Sequence, residues 1–197
     1  MSECFNEIVS QEKVIQLAKT LAKDKKAISY LSTHAINLFY HIKNIYNIEI
    51  ISAYYFLSIM KEFILSNVKE KTLCIYLWTH CIIWASNFYS SPIKQDRDIY
   101  QEMILFIEEI IKDSYFEINL DAKCEFLVCC NIVWYDSILK TIIHQECDHS
   151  LSENGDFIVD TYNIRQRKYH NIDFIRWEHR NVLYIISHKK YKQSIDK

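Results

Sequence analysis

The stretch TLCIYLWTHCIIWASNFY, residues 72–89, is the clearest indication of the fold class. It is long enough for a helix of about five turns, and apolar side chains cover most of the helix circumference. Residues 48–68 have the same character, so both stretches are predicted to be central helices of the core. The apolar run 73–85 is interrupted by Thr79 and His80 and falls short of the ~18 apolar residues that a membrane span needs, so no such span is expected.

Five further stretches have apolar residues at helical spacing. They lie at about 10–23, 26–46, 96–112, 119–145 and 173–190. The whole chain has one glycine and one proline, residues that sheets and tight turns use frequently. We therefore predict a single all-α domain over residues 1–197, with about seven helices joined as antiparallel hairpins. A long loop is expected at about 146–172, which contains Gly155.

Charge and cysteine content limit the possible functions. The formal net charge of -2 excludes a globally basic nucleic-acid-binding surface. The seven cysteines mostly lie in apolar helical runs, which is typical of buried thiols in a reducing compartment. The first nine residues do not resemble a signal peptide, so the sequence predicts a cytoplasmic protein.

Two helices that are otherwise largely apolar carry polar clusters. His34 lies in the helix at 26–46, and Trp177, Glu178, His179 and Arg180 are consecutive in the last helix. If these side chains converge, His34, Glu178 and His179 could act in acid–base catalysis, while Arg180 and Trp177 could bind a peptide carboxylate. The alternative is an internal hydrogen-bonded network with no ligand.

One short segment has the spacing of metal ligands. His144, Cys147 and His149 lie at the end of a predicted helix, and residues one helical turn apart share a face. Zn²⁺ is the candidate metal, although a second defined ligand pair such as CxxC is missing. The alternative is that these are ordinary polar residues at the end of a helix, with no metal.

The predicted loop contains a small basic patch. Arg165 and Arg167 alternate with tyrosines, a pattern that suits an anion or a nucleic acid. Acidic residues at 153, 156 and 160 lie just upstream, so a solvated loop of mixed charge is the alternative, and the pattern does not favour a nucleic-acid partner.

Several segments resemble α/α-toroid proteins, the group that includes terpene cyclases, prenyltransferase β-subunits and lanthipeptide cyclases. The resemblance is carried by residues 119–125, by Asn-Gly-Asp-Phe at 154–157, by residues 169–186 and by a Thr-His-containing helix at 33–39. It implies a partial ring of helical hairpins and a setting in bacterial natural-product gene clusters. The zinc ligand sets and Asp-rich motifs of these enzymes have no counterpart here.

Three functions follow from these patterns. The first is an accessory or tailoring protein of bacterial secondary metabolism that binds a peptide or an apolar small molecule, which suits the 14 tyrosines, 10 phenylalanines and 4 tryptophans. The second is an enzyme that uses either a metal or histidine acid–base chemistry. The third is a structural or immunity-type interaction module, in which the aromatic side chains form the core. The sequence indicates neither the ligand nor the oligomeric state.

Overall fold

The computed structural model describes residues 10–61, 68–151 and 174–189, and for positions 60, 68 and 174–177 it describes the backbone only. Every regular element in these ranges is an α-helix, which confirms the predicted fold class. There are nine in the described ranges: α1 Gln11–Leu21, α2 Lys25–Leu31, α3 Thr33–Tyr46, α4 Ala53–Lys61, α5 Val68–Ala85, α6 Arg97–Asp113, α7 Leu120–Ile132, α8 Leu139–His149 and α9 Phe174–Ser187.

Polar side chains cap the starts of three helices, as their sequences suggest. The side chain of Ser10 accepts a hydrogen bond from the Lys13 amide at the start of α1, and that of Asp24 caps α2 in the same way. Asn119 Oδ1 accepts from the Ala122 amide (2.8 Å), which fixes the start of α7. Each cap satisfies an amide that the first helical turn leaves without a partner.

The single helix predicted at 26–46 is two helices, because the backbone leaves the helical conformation at Ser32. This residue is buried, with φ 44° and ψ -114°, and its hydroxyl donates to the Leu73 carbonyl oxygen of α5 at 2.9 Å. A contact with a residue 41 positions away therefore overrides the local helical pattern.

The prediction that one helix runs from 119 to about 145 is also wrong. Trp134 has φ 52°, and the amides of Trp134 and Tyr135 donate to the carbonyls of Asn131 and Cys130. This is the Schellman arrangement, which ends a helix with a left-handed residue. Asn87 ends α5 in the same way, with φ 52°.

Helices α5 and α7 form the centre of the described fold. α5 packs against α2, α3, α4, α6 and α7, while α7 packs against α5, α6, α8 and α9. The prediction of a central helix at 72–89 is thus confirmed for α5, whose last residue is Ala85. The expected helix at 48–68 is shorter in its described part, where α4 begins only at Ala53.

Burial is most complete along α7. All its residues except Asp121 and Asn131 are buried, including Lys123 and Glu125. The core extends from Ala18 in α1 to Leu183 in α9. Burying an aliphatic side chain of this kind contributes about 1.5–3 kcal/mol, so α7 holds its neighbours together.

Part of the predicted long loop is helical. Residues 146–149 are the last turn of α8, whereas 152–173 lie outside the described residues. No described helix has the length and apolar character that crossing a membrane requires. A toroid-like arrangement of the helices stays a prediction.

Candidate functional site

The residues predicted to form an acid–base cluster are not gathered at one point. His34 is exposed at the start of α3, which packs against α1, α2 and α5. Glu178 and His179 are exposed on α9, which packs against α7. Neither histidine lines any of the clefts described below.

Arg180 forms an ion pair within the protein. It is buried, and its Nε and Nη2 atoms donate to the two carboxylate oxygens of Asp121 at 3.0 and 3.2 Å. This two-point ion pair ties α9 to the start of α7 and matches the internal-network alternative. The side chain of Trp177 and the residues Arg165 and Arg167 lie outside the described part of the structure.

The three residues predicted to bind a metal point in different directions. Cys147 is fully buried, and its Sγ lies 3.6 Å from Sγ of Cys124 in α7. His149 is exposed, and its Nδ1 donates to the Gln145 carbonyl oxygen at 2.6 Å. The described residues contain no group of three or more His, Cys, Asp or Glu side chains arranged to hold a metal ion. The predicted set of His144, Cys147 and His149 is therefore not a three-ligand site.

His144 instead meets aromatic side chains of α9. Its ring centre lies 4.6 Å from that of His188 and 5.8 Å from that of Tyr184. His144 and Asp148 are four residues apart on α8, and Tyr184 of α9 is four residues before His188, which directly follows the last residue of α9, so each pair lies on one side of its segment. The Tyr184 hydroxyl donates to Asp148 Oδ1, which joins the two helices.

The two imidazoles differ in their hydrogen bonds. His188 Nδ1 donates to the Tyr184 carbonyl oxygen at 2.9 Å, which leaves Nε2 as the acceptor of the neutral ring. His144 Nδ1 is buried and has no hydrogen-bond partner. Burial, followed by the nearby charge of His188, lowers the pKa of His144 below its usual value, so His144 is mostly neutral at pH 7.

These side chains border an open cleft of about 510 Å³, which we call the His144 cleft. Its lining comes from α7, α8, the α7–α8 connection and the end of α9: Cys130, Asn131, Trp134, Tyr135, Asp136, Lys140, His144, Ser187, His188 and Lys189. Asn131 Nδ2 donates to the Ser187 carbonyl oxygen and fixes the end of α9 at this wall.

Trp134 is the most unusual residue of the lining. It adopts a left-handed backbone conformation, which a bulky residue rarely does, and its indole Nε1 is buried without a partner. The Arg97 guanidinium lies 5.4 Å from the indole ring centre and holds the ring through a cation–π contact. Left-handed bulky residues are found preferentially at functional sites.

A second open cleft, of about 560 Å³, lies between α3, α4 and the connection before α6. Its charged side chains include Lys43 and Glu49, which form an ion pair at 2.8 Å, and the Tyr40 hydroxyl donates to the Cys81 carbonyl oxygen. Burial raises the pKa of Tyr100, another lining residue, to about 12, so this phenol stays neutral. None of its described lining residues has a buried polar atom without a partner, which favours the His144 cleft as the candidate site.

No family model matches the chain, and neither a curated protein nor a solved structure matches it. The resemblance to α/α-toroid proteins, and the cellular setting that it implies, therefore stay predictions.

Sequence reasoning identified one residue of this cleft as a site residue and missed the others. His144 was selected for its spacing to Cys147, whereas its actual neighbours come from α9, about forty residues later in the chain. The sequence feature that could have indicated the cleft is the pair Tyr184 and His188, which lie four residues apart on the last predicted helix. Trp134 carried no signal, because its role depends on a helix end that the pattern did not predict.

Proposed function

We propose that the chain binds a small carboxylate-bearing ligand, free or as the end of a peptide, in the His144 cleft. The observation that carries the proposal is that His144 Nδ1 and Trp134 Nε1 are buried without partners in residues that line the same cleft. Leaving a buried polar group unpaired costs about 1–3 kcal/mol, so native proteins rarely do it. A ligand with oxygen acceptors would relieve both costs once the two side chains turn these nitrogens toward the cleft.

Charge supports a negatively charged ligand. Lys140 and Lys189 line the cleft against one carboxylate, that of Asp136, which is fully exposed and lies 3.8 Å from the Lys140 ammonium. An excess of cations in a cleft raises the local concentration of anions.

Size and surface support a ligand that also has an apolar part. The cleft volume of about 510 Å³ lies within the range of about 300–1,000 Å³ that is usual for small-molecule sites. The rings of Trp134 and Tyr135 offer apolar surface beside the cationic groups. The proposal keeps the peptide carboxylate expected from the sequence, extends the ligand to free carboxylates in place of an apolar small molecule, and moves the site away from His34 and Glu178.

Histidine Cε1–H signals in proton NMR spectra test the proposal, with phenylacetate as probe and phenylacetamide as its uncharged analogue. Phenylacetate is expected to shift the signals of His144 and His188, because its carboxylate accepts from the unpaired nitrogen. The exposed His34 and His179 signals serve as internal controls. Phenylacetamide is expected to shift the His144 and His188 signals far less.

Two variants sharpen this experiment. His144→Gln is expected to abolish the response of His188 to phenylacetate, whereas His34→Gln leaves it unchanged. Equal shifts of all histidines, or the same response to the amide and the acid, would contradict a carboxylate site in this cleft.

Acid–base catalysis in the same cleft is the second candidate function. It is favoured by the position of His144 in the lining of the cleft, where a neutral imidazole can accept a proton from a bound substrate. Hydrolysis of 4-nitrophenyl acetate provides a general probe. A rate above background that His144→Gln removes and His34→Gln retains would support this function, and identical rates for both variants would count against it.

A further inference from the structure

Cys124 and Cys147 stand apart from the other described cysteines. Their Sγ atoms are 3.6 Å apart and share a hydrogen bond between α7 and α8. Among the six cysteines in the described residues, this is the one pair whose sulfur atoms are in contact. A disulfide has its sulfur atoms about 2.05 Å apart, so closing the gap needs a movement of only about 1.5 Å.

We propose that Cys124 and Cys147 form a reversible redox modification site, in which a low-molecular-weight disulfide oxidises the two thiols to an intrachain disulfide. The Cys147 thiolate attacks one sulfur of glutathione disulfide, which forms a mixed disulfide and releases one glutathione. The Cys124 thiolate then attacks the Cys147 sulfur and releases the second glutathione. Two protein thiols and one glutathione disulfide thus yield one protein disulfide and two glutathiones.

The reaction begins when α8 opens locally. Both thiols are fully buried, so an oxidant cannot reach them in the closed structure. The hydrogen bond between Cys124 and Cys147, together with burial, raises the pKa of Cys124, which keeps Cys124 in the unreactive thiol form while the structure is closed. Among the described helices α8 packs mainly against α7 and also meets Tyr184 and His188 through His144 and Asp148, and elements with few neighbours open at lower free energy than the central core.

The cross-link acts on the helix that carries the candidate site. Cys147 lies between His144 and Asp148 on α8, so a bond to α7 fixes this wall of the His144 cleft. The modification itself depends only on the two sulfur atoms, and it stands whether or not the proposed ligand binds.

The test uses the full, reduced chain, incubated with increasing ratios of glutathione disulfide to glutathione. Free thiols are then blocked with N-ethylmaleimide, and linked peptides are mapped by mass spectrometry. Digestion with chymotrypsin, which prefers large apolar residues, cleaves after Phe126 and separates Cys124 from Cys129 and Cys130.

The expected result is one dominant Cys124–Cys147 linkage, with two of the seven thiols lost and full reversal by dithiothreitol. The linked chain should melt on the order of 5–10 °C higher, because the bond restricts the unfolded chain. Cys124→Ser should retain glutathione on Cys147, and Cys74→Ser, a buried control in α5, should still form the linkage. The proposal would be overturned if the native chain stays fully reduced or if other cysteine pairs link first. Because this mapping uses the unmutated chain, it does not depend on whether a variant folds.

Discussion

The ion pair between Lys123 and Glu146 joins α7 to α8 in the interior of the protein. Lys123 Nζ lies 3.0 Å from both carboxylate oxygens of Glu146, and the two side chains are only 2% and 7% exposed. The Tyr115 hydroxyl donates to Glu146 Oε2 at 2.6 Å, and the Lys123 ammonium lies 4.0 Å from the Tyr115 ring centre. Each charge is therefore held by several partners in place of water.

Replacing Glu146 with Gln keeps the side-chain volume and removes the negative charge that lies 3.0 Å from the buried Lys123 ammonium. Removing one partner of a buried pair costs about 3–5 kcal/mol of unfolding free energy. For a chain of this length the melting temperature should fall by roughly 6–20 °C. Urea unfolding at 25 °C, followed by circular dichroism, measures the free-energy change directly.

An exposed pair in the same protein provides the control. Lys43 and Glu49 lie 2.8 Å apart, but their side chains are 48% and 57% exposed, so Glu49→Gln should cost less than about 1 kcal/mol. The double variant Lys123→Met/Glu146→Leu should recover most of the loss, because neither charge of this pair remains buried. If Glu146→Gln costs no more than Glu49→Gln, the reasoning from burial is refuted.

Three smaller perturbations test other features of the structure. Burial lowers the pKa of His144 in the folded state, so this histidine should not reduce the unfolding free energy at pH values above 6.5, the pKa of an unperturbed histidine. The unfolding free energy should fall as the pH drops below 6.5, and His144→Gln should weaken this pH dependence in urea titrations. Asn119→Ala should lower the unfolding free energy by about 1–2 kcal/mol, since Asn119 Oδ1 accepts from both the Ala122 amide and the Tyr76 hydroxyl. An unchanged urea midpoint would show that water replaces the cap. Asn87→Ala should cost about 1 kcal/mol and Asn87→Gly should not, because alanine disfavours the left-handed conformation; equal effects in thermal melts would contradict that account.

Local patterns predicted the helices well where local interactions decide them. The start of α1 at Ser10 and that of α7 at Asn119 follow from side-chain caps within three residues. The central position of α5 follows from a sequence that is apolar around the whole helix. These features need no knowledge of distant residues.

The ends of α3 and α6 lie within one residue of the predicted positions 46 and 112, but the end of α7 was missed because the usual marker is absent. Helices commonly end at a glycine in the left-handed conformation, but this chain has a single glycine, at position 155. Asn47, Asn87 and Trp134 take that conformation instead, and Trp134 gives no warning in the sequence. The break at Ser32 depends on a partner in α5, which a local pattern cannot contain.

The candidate site was predicted only in part for the same physical reason. His144 meets His188 because both α8 and α9 pack against α7, and that packing is a long-range property. The dense polar cluster at Glu178 to Arg180 was predicted to be a site, yet two of its residues are exposed and Arg180 pairs with Asp121. Local density of polar residues was therefore a weaker indication of a site than the pairing of two helix faces.

The charged residues of α7 explain how the His144 cleft obtains a defined shape. A helix that is apolar on every face can rotate about its axis with little change in apolar burial, so apolar packing alone does not fix its orientation. In α7, Asp121 binds Arg180 of α9, Lys123 binds Glu146 of α8, and Glu125 accepts from a threonine of α5. A shift of the helix by one residue, about 100°, would separate all three interactions, each of which involves a buried charged side chain. Because α8 and α9 form walls of the cleft, these interactions on one helix set the distance between His144 and His188.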